Sequence, residues 1–176
     1  MDEAQFWQII EATKPFGPYT IEAHYDRLLE RVSGLPESEI LDYSRLFHAQ
    51  LQKANSWELW DAAYIVNGGC GDDDFQDFKA GLVAQGRTVF QSVLDSPEFL
   101  AQYLPAKQLI RGESILFLPT LAYRIKVYGT QEEDARQLCP DDVQPQPPIE
   151  PSGSSVGEDA EPLRNRFPKL FETFWH

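Results

Sequence analysis

Apolar residues recur along this chain at three- and four-residue intervals, the spacing of an amphipathic helix, in one segment after another. The first segment runs from about Asp2 to Thr13, with Phe6, Ile9 and Ile10 on one face and Asp2 and Gln5 at capping-box spacing, before KPFGP stops it. A second starts near Thr20 and places Ile21, Tyr25, Leu28, Leu29 and Val32 on one stripe, closed by Gly34. A third follows Pro36, carries Ile40, Tyr43, Phe47 and Leu51 with Leu46 beside them, and ends near Ala54. Ser56 caps a fourth, SWELWDAAYIV, apolar almost all round and therefore predicted to be the buried central helix.

Asn67 and Gly68 end that helix, because residues tolerant of positive φ are favoured just past a helix terminus. A fifth begins inside DDDF and carries Phe75, Phe78, Leu82 and Val83 up to Gly86, before a short segment with Val89, Phe90, Val93 and Leu94. Residues Ile115 to Tyr128 fit both periods: Leu118, Leu121, Ala122 and Ile125 suit a helix, whereas Leu121, Tyr123, Ile125 and Val127 alternate like a strand. A helix entered at Pro119 and closed by Gly129 is favoured.

The pattern then changes. Residues 131–162 are acidic, poor in apolar positions and hold six of the thirteen prolines, which is the composition of a poorly ordered linker. Residues 163–176 restore helical spacing with Phe167, Leu170, Phe171 and Phe174, followed by Trp175. So short a helix is marginal alone, so these side chains are expected to bury against the body or to form a partner-binding surface. The expected architecture is all-α: a compact helical domain over 1–130, an acidic Pro-rich linker over 131–162, and a short C-terminal amphipathic helix.

Charge changes this picture little. The formal net charge is −13, but residues 1–131 carry −7 with 18 acids and 11 bases, while 132–161 carry −8. Much of the acidity thus belongs to the linker, and the bases are dispersed, which argues against nucleic-acid binding. No apolar run is long enough to cross a bilayer, and the acids in MDEAQFWQII argue for a helix start over a secretory signal. Two cysteines, Cys70 and Cys139, make no disulfide framework and fit a cytoplasmic setting.

The most unusual stretch is GGCGDDDFQDF, with Gly68, Gly69, Cys70, Asp72, Asp73, Asp74 and Asp77 as the candidate functional loop. Asp72 can cap the helix, and Asp73 and Asp74 suit its first turn, where the dipole favours anions. Asp77 lies four residues after Asp73, and such like-charged pairs call for a cation between them. Arg87, Arg111 or Arg124 is the simplest source; a divalent cation, Mg²⁺ or Ca²⁺, held by Asp73 and Asp77 is the alternative, although the spacing matches no EF-hand and no cofactor is required. The carboxylates also argue against phosphate at the glycine loop and against Cys70 as a nucleophile. His24 and His48 show no metal-ligand spacing and read as structural, and the tryptophans lie on core stripes.

The run LWDAAYIVNGGCGDDDFQDFKAGLVAQGR, with FWQII, SPEFLA and RFPKLFETF, resembles the uncharacterised bacterial domain-of-unknown-function family 4240 over most of the chain. Lys79 and Gly81 stand where the family pattern has Arg and Trp. The resemblance implies a bacterial setting and no established activity. The expected function is a non-enzymatic protein-interaction module, an adaptor, regulator or immunity-type inhibitor, acting through the Gly68–Asp77 surface. The alternative is a divalent-metal-dependent hydrolase or transferase built on the aspartates.

Overall fold

A computed structural model describes residues 1–105 and 108–175, and the local rules explain most of its helix boundaries. Helix α1 spans Glu3–Thr13 with the full Asp2–Gln5 capping box, α2 spans Ile21–Ser33 behind Thr20, α3 spans Glu37–Lys53, and α4 spans Trp57–Asn67 behind Ser56. Helix α5 spans Asp72–Ala84 and α6 spans Arg87–Asp95. Short turns of helix follow: α7 at Leu100–Tyr103, α8 at Glu113–Leu116 and α9 at Leu118–Tyr123. The stretch that also fitted a strand is helical: Pro119 sits in the first turn of α9, a π turn continues it through Arg124–Tyr128, and Gly129 closes it at φ 66°. Among the described residues the only β pairing is an isolated parallel bridge between Ser56 and Ser152, so the fold is all-α.

The apolar stripes meet in one core. Phe6, Leu28, Phe47, Phe75 and Phe78 are fully buried, and Trp60 stacks on Phe75 at 4.5 Å between ring centres. Each such side chain contributes roughly 1.5–3 kcal/mol of burial free energy. Helix α5 packs backbone to backbone against the start of α8, where Gly81 and Gly112 touch; a Cβ on Gly81 would lie 2.9 Å from the Arg111 carbonyl oxygen. Asn67 braces the same segment, donating to the Ile110 carbonyl at 3.1 Å and accepting from its N–H at 3.2 Å. Together these contacts deliver Glu113 to the side of α5.

Residues 131–162, expected to carry little order, are laid across the body. Two 3₁₀ turns, Glu133–Leu138 and Asp141–Val143, bury Cys139 and Val143, and Ser44 and Thr120 each donate a hydroxyl hydrogen bond at 2.6 Å to the carbonyls of Asp142 and Val143. The linker is thus held by backbone carbonyls and one or two apolar anchors, a kind of restraint that its polar composition does not advertise. Beyond it, α10 (Ala160–Arg166) packs on α11 (Pro168–Phe174), which packs against α4 and α7. Phe167, Leu170, Phe171 and Phe174 are buried there, and half-buried Trp175 stacks on Phe171 at 4.7 Å beside Tyr64. These residues, considered above as a partner-binding surface, are taken up by the chain's own body. Asp61 locks the arm down, accepting from Ser155 Oγ at 2.5 Å, Val156 N at 3.0 Å and Arg166 at 2.9 Å.

Candidate functional site

The glycines at the head of α5 are there for geometry. Gly68 at φ 69° and Gly69 at φ 132° turn the chain out of α4 in conformations that L side chains rarely adopt. The Cys70 carbonyl accepts from the Trp60 indole at 2.8 Å, and burial, reinforced by Asp74, pushes the thiol up to about 12, so it is not a thiolate near neutral pH. The cap itself is Gly71 and not Asp72: its N–H donates to Asp74 at 3.1 Å, and Asp72, Asp73 and Asp74 occupy the first turn. The correction follows from geometry, since a carboxylate at the third helical position can reach back to satisfy the cap N–H.

The acid cluster then divides. Asp72 and Asp74 stay outside, whereas Asp73 and Asp77, on one face of α5, line a cleft of about 390 Å³. His48, Leu51 and Gln52 of α3, Glu113 and Leu116 of α8, and a strap of linker residues, Pro145–Ile149, complete its lining with Lys79 and Arg136. Asn55, buried at the α3–α4 junction, ties this strap down: it donates to the Ile149 carbonyl at 3.1 Å, and its own carbonyl accepts from Ser152 N at 3.0 Å.

Electrostatics inside the cleft are unbalanced. Burial pushes Asp77 up to about 6, and the nearby carboxylates of Glu113, Asp74 and Asp73 add to that; Arg111 opposes it through space without an ion pair. The other two arginines expected near Asp77 are elsewhere: Arg87 is exposed at the start of α6, and Arg124 is buried against Glu133 at 3.2 Å. Among the described residues, no group of three or more His, Cys, Asp or Glu side chains is placed to hold a metal ion together.

Three cleft residues were not foreseen. Lys79 is 3% exposed; its Nζ donates to Asn55 Oδ1 at 2.8 Å and lies 4.7 Å from the Phe75 ring centre, and burial lowers its pKa to about 8. Its place on the apolar stripe, four residues after Phe75 and three before Leu82, was a usable signal of burial. His48 is nine-tenths buried with no hydrogen-bond partner on Nε2, and burial lowers its pKa against the pull of Asp142. Glu113 had no local signal, because long-range contacts, Gly81 with Gly112 and Asn67 with Ile110, bring it to α5. Among the described residues, no helix is long and apolar enough to cross a membrane. Residues 1–125 match a family model described as a protein of unknown function (DUF4240), which includes the acid wall but not the strap. No curated protein and no solved structure matches the chain.

Proposed function

Since the chain belongs to the DUF4240 family, whose description carries no activity, we propose that it is a non-enzymatic binding domain whose acid-walled cleft holds the positively charged group of its partner. One observation carries this reading: Asp73, Asp77 and Glu113 line a single cleft, and among the described residues none of them is ion-paired. Burial and the neighbouring carboxylates disfavour the charged form of Asp77, and an incoming ammonium or guanidinium relieves that cost while gaining charge-assisted hydrogen bonds. A cleft of about 390 Å³ suits a side chain or small molecule and is too small for a docked helix. The functional surface in this reading is the cleft face of α5, displaced from the Gly68–Cys70 turn, and the role is that of an adaptor, regulator or inhibitor. A bacterial, cytoplasmic setting belongs to the same proposal, supported by two free thiols.

Calorimetric titration of the full chain with pentylamine and butylguanidinium tests it. Saturable binding that weakens with salt and is lost in Asp77→Asn is expected. Absence of saturable binding by both probes would overturn the reading, and saturable Mg²⁺ binding lost in the same variant would replace it with a metal site.

A further inference from the structure

The helix that supplies the acid wall also supplies the opposite charge. Lys79 lines the same cleft, and among the described residues no carboxylate lies within ion-pairing distance of it. Asn55 Oδ1 satisfies one of its three donors and the Phe75 ring faces it, but neither carries the negative charge that a buried ammonium calls for. Asp77 cannot serve, because side chains two positions apart on a helix do not face each other. Arg136, the other cation on the cleft, is already engaged by Glu133 at 3.4 Å.

Two unbalanced charges of opposite sign therefore share one cavity. Asp73 and Lys79 are separated by about 9 Å along the α5 axis, the rise of six helical residues. His48, nine-tenths buried, lines the same cleft, and its shielded Nε2 has no hydrogen-bond partner. A neutral ring protonated at that nitrogen would donate to an anion.

Building on the acid wall as a cation site, we propose that the ligand is a small zwitterion of amino-acid type. Its ammonium lies against Asp73, Asp77 and Glu113, and its carboxylate lies against Lys79 with His48 beside it. Lys79 is then the residue that separates a zwitterion from a simple amine.

The full chain titrated with glycine, γ-aminobutyrate and ε-aminocaproate, and with the alkylamines that lack their carboxylates, tests this. At least one amino acid is expected to bind roughly tenfold or more tightly than its matching amine, the worth of one charge-assisted hydrogen bond. Lys79→Met should erase that advantage, whereas Asp77→Asn should weaken binding of both ligand classes. The wild-type comparison needs no variant to fold. Amines that bind while the amino acids bind no tighter overturn the zwitterion and leave the cation reading standing. Failure of both ligand classes sinks the two together, and an advantage that survives Lys79→Met removes Lys79 as the anchor.

Discussion

Replacing Asp77 by Asn should make the unliganded chain more stable at neutral pH. The carboxyl is displaced from an ordinary 3.8 to about 6, chiefly by burial and then by Glu113, Asp74 and Asp73. At about 1.4 kcal/mol per unit the full displacement corresponds to roughly 3 kcal/mol; for a half-buried side chain beside an open cleft, solvent screening reduces this to about 1–2 kcal/mol. The sign follows from proton counting. Between about pH 4 and 6 the native chain keeps a proton on Asp77 that the unfolded chain has released, so stability falls as pH rises through that window. Above it the whole cost is present. An asparagine of the same shape does not titrate and avoids the cost.

Urea unfolding of wild type and Asp77→Asn at several pH values reads the difference directly, with unchanged m values showing that both unfold from the same compact state. The gain should be near zero at about pH 4 and should grow to about 1–2 kcal/mol above pH 7. A variant that is less stable than wild type at neutral pH, or a difference independent of pH, would refute the reasoning, since either means that the carboxylate has a structural partner. A group that costs stability yet lines a cleft is what a binding site requires, so the stabilised variant should also be the one that loses pentylamine.

Three further outcomes follow from the packing. Gly112→Ala would drive a Cβ to 2.6 Å from the Gly81 Cα and against its amide nitrogen, so a loss of about 2 kcal/mol or more is expected in urea unfolding, with weakened amine binding as Glu113 moves; wild-type stability would contradict the close contact. Asp61→Ala removes the carboxylate that pairs with Arg166 and should weaken docking of the C-terminal arm by about 1–3 kcal/mol, seen as faster tryptic cleavage after Arg164, Arg166 and Lys169, and an unchanged digestion rate would show that the apolar anchors suffice alone. With its thiol pushed up to about 12, Cys70 should react slowly with a disulfide reagent at about pH 8 and rapidly once urea unfolds the chain; fast reaction in the native state would place it in a different environment.

Much of the architecture was legible before any coordinates. The α1 capping box, the α2 start near Thr20, the Ser56 cap, the Gly68 and Gly129 stops and the apolar faces of α1 to α5 are all local facts, set by backbone sterics and a period of 3.6 residues, and they stand in the structure where spacing put them. Membership of the family was equally legible, and the family model matches residues 1–125. Even the ambiguous stretch at Ile115–Tyr128 was narrowed by Pro119 and Gly129, since one suits a helical first turn and the other its end.

The cleft was only half legible. Asp73 and Asp77 share a helix face by spacing alone, so the demand for a positive charge near them could be read from four residues. That no protein arginine meets it could not, because Arg87, Arg111 and Arg124 are placed by the packing of other helices. Lys79 was noted only as a departure from a family pattern, and Glu113 and His48 reach the cleft from α8 and α3. Their meeting depends on two glycine backbones touching and on a linker held by the hydroxyls of Ser44 and Thr120 and by the Asn55 amide. Helix boundaries are decided by forces acting within a few residues of chain, and these the sequence carries openly. Desolvation and the convergence of charges are properties of volume, so they exist only once distant segments have packed.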